Sequence, residues 1–440
     1  MRLSWRDLGT PRADRAAGKP LELTGFPLSL LPSGSADQFL MMAEPGCCGG
    51  CVPNNPLAVV EVLAAEPLKL GTGPLRLSGT WQISSDEAGW RYQLHDAEVK
   101  GGVTRRSMLA ASSLFCLPAT AMAQQTDGMA ADVHSHAGNL IRASYGQSLL
   151  DVAGPMRKGG MSVICLAIVA DSPIIIVSSG RNRPGRNPKP GELYDFSKVQ
   201  FGKLHELARG QSMPIVKTSA DLRATRSTQP SVIVTSEGGD WLEGRIERLD
   251  EAYQRWQLRQ LQLTHYRPNE LGDIQTEPAV HNGLTDFGVE VIRRCNQLGI
   301  VVDVAHGTFE LVKRAVASTS KPLVLSHTNR NDRPTPWTRS ITTDHARAIA
   351  SVHGVIGVWP VTQAATVQSY ADSIARMVDA VGIDHVGIGT DQLGLLGPSA
   401  MPSYADLPQL AAALSSRFRP DEVSKILGGN YRRVFEACIA

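Results

Sequence analysis

From Ala131 onward, short apolar runs alternate with longer amphipathic segments. The runs are "ADVHSH" (131–136), "MSVICLAIV" (161–169), "SVIVTSE" (231–237), "LQLTH" (261–265), "IVVDVAH" (300–306), "PLVLSH" (322–327), "VIGVWP" (355–360) and "HVGIGTD" (385–391). β-branched runs of this length, separated by helical patterns, predict repeated βα units and a parallel sheet. Eight of them predict an α/β fold, a (β/α)8 barrel of the TIM type, over residues 126–440. Between the runs, "WLEGRIERLDEAYQRWQLRQ" (241–260) and "DFGVEVIRRCNQLG" (286–299) repeat apolar residues every three and four positions, as outer-ring helices do. The stretch from about 172 to 230, rich in Pro, Gly and charge around "GRNRPGRNPKPGELYD" and then helical, reads as an elaborated βα loop.

Upstream the pattern changes. "AVVEVLA", "LRLSGTWQI" and "WRYQLHDAEV" alternate as strands do, which makes residues 1–102 a small β-rich segment of unknown function. Residues 103–125, "VTRRSMLAASSLFCLPATAMAQQ", combine paired arginines, a short apolar stretch and Ala121-Met122-Ala123, the pattern of a twin-arginine export signal. The stretch is shorter than the ~20 residues of a membrane span, so the expectation is an exported, periplasmic protein with no stable span after cleavage. A buried inter-domain helix is the alternative. Because such signals act at an N-terminus, two accounts remain for the preceding hundred residues: a fusion, or an upstream reading frame joined to a protein starting near Val103. The second puts the signal where it can act.

Composition adds exclusions. Hydrophobic residues make up 42% and charged residues 20%, ordinary for a globular chain, and 44 basic against 42 acidic residues give a net charge of +2. Without a basic block there is no electrostatic footprint for nucleic acid, and a small-molecule partner is expected. Cys48-x-x-Cys51 can hold a metal or form a disulfide, but it lacks a second half-site. Cys165, Cys295 and Cys438 sit alone in apolar or helical patterns and read as free buried thiols.

The strand ends carry the candidate chemistry. In such barrels the active site gathers at the C-terminal ends of the strands, and here those ends hold His134, His136, Glu237, His265, His306, His327 and Asp391. Five of the eleven histidines of the chain fall on these tips. His134 and His136, two apart on a strand, face the same side and can meet one metal. Glu237, followed by Gly238 and Gly239, can bridge two cations, its alternative being an N-cap for the helix near Trp241. His306 and His327 can complete a second site, and imidazoles with a carboxylate favour zinc, two per chain, another divalent transition metal being the alternative. Two such ions about 3.5 to 4 Å apart activate a shared water and polarise a scissile carbonyl. Asp391 is placed as general base and then acid, its alternative being a carboxylate bonded to turn amides. His265 is placed to donate to an oxyanion. Arg339, in "NRNDRPTPWTRSIT", is a candidate bidentate clamp for a substrate carboxylate, or a solvated loop residue.

Taken together, "TSEGGDWLEG", "LQLTHYRPNELGD", "GLTDFGVEVIRRCNQLGIVVDVAH", "PLVLSHTNRND", "GIDHVGIGTD" and "GGNYRRVFEA" resemble, in order from about Asp132 to Ala437, the membrane dipeptidase (renal dipeptidase) family of zinc metallopeptidases. The resemblance implies a binuclear zinc barrel that hydrolyses dipeptides, often tolerating a C-terminal D-residue, and often a homodimer. It implies that Glu237 bridges the ions, that His134 binds the first and that His306 and His327 bind the second. By the same resemblance His265 meets the substrate carbonyl, Asp391 shuttles the proton and Arg339 holds the substrate carboxylate.

One departure stands out. The family commonly has His-x-Asp on the first strand, where this chain has His134-x-His136. Imidazole serves zinc well, but the loss of a negative charge is expected to attract a substrate ammonium less and to weaken selection for a free α-amine. Tyr266 and Arg267, where small or polar residues are usual, also bear on specificity. Two rival readings are a binuclear amidohydrolase acting on another amide, lactone or ester, and a non-catalytic periplasmic metal-binding barrel. Glu237 in place of a bridging lysine on the fourth strand argues against the first. The presence of Asp391 argues against the second.

Overall fold

The computed structural model describes residues 3–8, 10–28, 35–43, 59–69, 74–83, 92–100, 128–178, 181–333, 337–361, 366–394 and 399–439. The signal-like segment 103–125 and the Cys48/Cys51 pair lie outside them. The chain divides into two compact units, Met1–Gln124 with Val177–Arg181 and Leu395–Pro398, and Gln125–Ile176 with Asn182–Gly394 and Ser399–Ala440.

In the first unit, strands β1 (Pro20–Leu28), β2 (Ser35–Met42), β3 (Val59–Lys69), β4 (Leu75–Ile83) and β5 (Tyr92–Val99) close into a barrel in the order β1-β2-β3-β5-β4. The β3–β5 pair is parallel and the other pairs are antiparallel. Alternate residues point inward, so Leu21 and Leu23, Val60 and Val62, and Tyr92 and Leu94 share one core. Trp81 stacks on Tyr92 with ring centroids 5.2 Å apart and donates to the Ala13 carbonyl at 3.0 Å. The sequence pattern did not mark β1 or β2. Gly25 and Pro27 interrupt β1, and only its pairing with both β2 and β4 holds it as a strand.

The second unit is an eight-stranded parallel barrel. Its strands are β6 (Ala131–Ser135), β7 (Val163–Val169), β10 (Ser231–Glu237), β11 (Leu258–Gln262), β12 (Val301–Asp303), β13 (Leu323–Thr328), β14 (Val355–Val358) and β15 (Val386–Ile388), closed by pairing of β15 with β6 and β7 with β10. A ribbon of β8 (Ile175–Ser178) and β9 (Arg181–Pro184), then helices Glu192–Gly210 and Ser219–Ala224, fill the long loop after β7. Cys165, Cys295 and Cys438 are free and buried, as expected.

The helix Asp286–Leu298 shows how the outer ring forms. Thr285 caps it by accepting from the Gly288 N–H, Val289, Ile292 and Cys295 bury one stripe, and Gly299 ends it at φ 76°. The helix expected over 241–260 is shorter, at Glu247–Arg255. Glu243 and Gly244, both at positive φ, break it at the front, and Leu258 already pairs with Val234 at the back. Propensity favoured helix through Gln260, but sheet pairing prevailed.

Glycine is required where the strands crowd the barrel axis. A Cβ on Gly357 in β14, or on Gly389 just after β15, would lie 1.8 Å from the Ser326 carbonyl oxygen of β13. Neither position can gain a methyl without moving β13. Gly357→Ala is therefore expected to cost about 1–3 kcal/mol as overpacking. Thermal unfolding would read this as a lowered midpoint; an unchanged midpoint would mean that β13 and β14 separate freely.

Candidate metal centre

The barrel brings all eight residues singled out in the sequence to one mouth. His134 lies in β6 with His136 just beyond it, Glu237 ends β10 and His327 lies in β13. His265, His306 and Asp391 stand three residues past the ends of β11, β12 and β15. They belong to the turns, not to the strands as expected. His306 and Asp391 adopt φ of 69° and 49°, left-handed conformations that cost a residue with a β-carbon energy.

Every one of the five imidazoles reaches the buried carboxylate of Glu237. The Nε2 atoms of His134, His306 and His327 lie 3.5, 3.2 and 3.4 Å from Oε1, and those of His136 and His265 lie 3.1 and 3.3 Å from Oε2. Glu237 does not cap a helix; the short turn Asp240–Leu242 begins at Gly239 with no side-chain cap. Asp391 Oδ1 is 3.3 Å from His136 Nε2. Arg339 points inward, with Nη1 donating to Gln275 Oε1 and Nη2 facing His327 Nε2, each at 3.1 Å, and its Nε meets no partner among the described residues.

A layer behind these groups aims them. Ala167 O lies 3.0 Å from His136 Nδ1, and Ser326 Oγ lies 3.4 and 3.0 Å from Nδ1 of His134 and His327. Asp171 holds His265, with Oδ1 at 2.6 Å from Nδ1, while Oδ2 accepts the Tyr266 N–H at 3.0 Å. Sequence reading missed Asp171. It sits two residues past β7, so the strand-end rule that found the others would have reached it had that run been followed to its turn. Ser326 carried no such signal, because a serine inside an apolar strand says nothing about which rings it meets.

The electrostatics of the mouth centre on Glu237. Burial alone would raise the pKa of Glu237, but the imidazoles of His265, His134 and His136 hold it well below the usual carboxylate range. Burial disfavours a charged His136, yet Asp391 and Glu237 outweigh it and push its pKa up to about 10. Burial, assisted by the positive charge of Arg339, keeps His306 and His327 neutral. His265 goes the other way: Asp171 and Glu237 overcome burial and raise its pKa, which favours an imidazolium.

The donor set fits metal ions. With its Nδ1–H given to Ala167 O, His136 turns Nε2 inward, and shared bonding to Ser326 Oγ does the same for His134 and His327. The inward nitrogens then crowd one another, His134 and His136 at 3.2 Å and His306 and His327 at 3.1 Å. Lone pairs opposed at this distance repel unless a proton or a cation lies between them. Among the described residues, three sets have ligand atoms within 4.8 Å of one another: His134–His136–Asp391, His134–Glu237–His327 and Glu237–His265–His306.

Comparison with known proteins bears on the fold and the family. The family model of membrane dipeptidases (peptidase family M19) matches residues 157–439. Among curated proteins, the dipeptidase tcpJ of Claviceps purpurea is 26% identical over 225 residues, 48% of this chain and 52% of its own. The dipeptidase aclJ of Aspergillus oryzae is 27% identical over 268 residues, 57% of this chain and 63% of its own. The chain thus spans about half to two thirds of the length of these relatives. Two solved structures share the fold over 71% of this chain. The M19 metallopeptidase called dipeptidase AC has a TM-score of 0.61, 22% identity and 98% of its own chain covered. A metallopeptidase from Rhodobacter sphaeroides, bound to a phosphinate mimic of L-Ala-D-Ala, has a TM-score of 0.59, 21% identity and 100% of its chain covered. With the family model covering well over half of the sequence, and an eight-stranded barrel that gathers histidines around one glutamate, this chain belongs to the membrane dipeptidase family.

Proposed function

We propose that this protein is a zinc-dependent dipeptidase, hydrolysing the peptide bond of dipeptides, those with a C-terminal D-residue included. The observation that carries the reading is the buried Glu237 carboxylate with five imidazole nitrogens within 3.5 Å of it. His134 and His136 would hold one ion and His306 and His327 the other, with Glu237 between them. Two such ions lower the pKa of water and polarise a carbonyl.

The remaining steps belong to the chain's own groups. Arg339, with its unpaired Nε, binds the substrate carboxylate and sets the substrate in register. His265, whose pKa Asp171 and Glu237 raise against burial, donates from Nε2 to the oxyanion that develops on the scissile carbonyl. Asp391 takes the proton of the attacking water and returns it to the leaving amine. Tyr266, whose ring lies edge-on to those of His265 and His306, narrows the space for the side chains of the substrate. The dipeptidase names of the fungal relatives and the dipeptide mimic in the Rhodobacter structure support the substrate class. Among the described residues no helix is long and apolar enough to cross a membrane, and the arginine pair and small-residue motif of residues 103–125 support export by a twin-arginine route.

Purified full-length protein should carry about two zinc ions per chain and release amino acids from L,L and L,D dipeptides; chelation should abolish release and zinc restore it. Two bound ions with no dipeptide cleaved would sink the reading. Arg339→Ala should raise KM by about 10–100-fold with kcat little changed, the cost of a lost charged hydrogen bond. Asp171→Asn should do the reverse, lowering kcat by about 10–100-fold with KM nearly intact, because the ring it aims acts in the transition state.

A further inference from the structure

Tyr266 stands at the mouth without belonging to the ring of imidazoles around Glu237. Its N–H donates to Asp171 Oδ2 at 3.0 Å, which anchors its backbone beside His265. The phenol ring lies edge-on to His265 and His306, with centroids 4.5 and 5.0 Å away. Burial pushes the Tyr266 pKa up to about 12, so the phenol keeps its proton. The side-chain amide of Asn182 in β9 lies against the phenol oxygen and acts in the opposite sense, favouring the phenolate as a donor does. Among the described residues none is in place to accept the hydroxyl proton, which a tyrosine can therefore give to a ligand.

The charge that this hydroxyl feels most is that of Arg339, and Arg339 in turn feels Tyr266 ahead of Glu237 and Asp391, so the two groups face one space. Arg339 gives Nη1 to Gln275 Oε1 and turns Nη2 to His327 Nε2, each at 3.1 Å, which leaves Nε without a partner. A carboxylate has two oxygens, and one N–H serves only one of them well. The frame around the pair is tied together from both sides. Arg183, next to Asn182, meets Glu277 through Nε and Nη2, each at 3.2 Å. Glu277 follows two residues after Gln275, whose Nε2 donates to Ser340 O at 3.1 Å. The residue behind the phenol and the residue behind the guanidinium are thereby held to one another.

We propose that the Tyr266 hydroxyl is a second donor to the substrate carboxylate, binding one oxygen while Arg339 Nε binds the other, so that the mouth selects dipeptides with a free C-terminal carboxylate and rejects C-terminal amides. The proposal rests on the dipeptidase reading of the site. Donors on both oxygens fix the plane of the carboxylate, whereas a single donor lets it turn. A carboxamide presents one oxygen and one NH2 group, so one of the two protein donors is left facing another donor. Sites built to hydrogen-bond a group discriminate strongly against an analogue that leaves their own polar groups unpaired. Tyr266 is then a substrate-binding residue, and Asn182 and Gln275 are positioning residues for the pair.

The test compares wild type and Tyr266→Phe, both full-length and zinc-loaded, in calorimetric binding of a phosphinate dipeptide mimic with a free carboxylate and of the same mimic as its C-terminal carboxamide. Phenylalanine keeps the ring and removes only the donor. Wild type should bind the acid more tightly than the amide. The variant should lose about 10–100-fold in affinity for the acid, the cost of a hydrogen bond to a charged group, and little for the amide. With dipeptides as substrates, KM should rise by a like factor with kcat little changed. Equal losses for acid and amide, or no loss for the acid, would overturn the proposal while leaving dipeptide cleavage by wild type intact. An acid-selective loss in a protein that cleaves no dipeptide would uphold the role of Tyr266 and remove the dipeptidase reading. Wild type that binds neither mimic would overturn both.

Discussion

The structure of the barrel mouth depends on one buried carboxylate. Glu237 is 2% exposed, and an ion in such a place is tolerated only if its charge is met from all sides. Five imidazoles meet it, contributed by β6, β13 and the turns after β6, β11 and β12. No single βα unit could supply that ring. The closed barrel can, because closure brings the ends of distant strands to one axis.

Much of the surrounding architecture keeps those rings from relaxing away from the carboxylate. Asp303 accepts from the N–H groups of Ala305 and Ser326, at 3.0 and 3.1 Å, which ties the turn that bears His306 to the strand that bears His327. Asp132 plays the same part at the closing seam, accepting from the N–H of Thr390 and the hydroxyl of Tyr404 at 2.9 and 2.7 Å. Burial pushes the Asp132 carboxyl up to about 6, against the hydrogen bonds from Thr390 and Tyr404 that favour its ionised form. The glycines at 357 and 389 let the Ser326 backbone approach the axis, and Ser326 in turn orients two rings. Packing and chemistry therefore meet at a serine that takes no direct part in the reaction.

At the mouth, two left-handed residues show where local stability was given up. His306 and Asp391 leave the strand before their side chains point inward, and each adopts a backbone conformation that costs a β-carbon-bearing residue energy. The hydrogen bonds around them, including those between Asp391 and His134 and between His136 and Gln392, hold the strained geometry in place. Sites of this kind favour preorganisation over local stability.

The sequence by itself determined the periodicity of eight apolar runs and the polar residues at their ends, and these were enough to define the barrel and seven inward groups, because burial and alternation act locally. It did not determine where a strand stops. Gln262, Asp303 and Ile388 end their strands earlier than the apolar run suggests, since the last rungs depend on which neighbour is present to pair. For the same reason β1 and β2 carried no sign of being strands, and Leu258 to Gln260 read as helix. Which rings share Glu237, that Asp171 lies behind His265, and that Asp391 faces His136 were decided only by tertiary structure, because those contacts join residues tens to hundreds of positions apart, and no local pattern records such a distance.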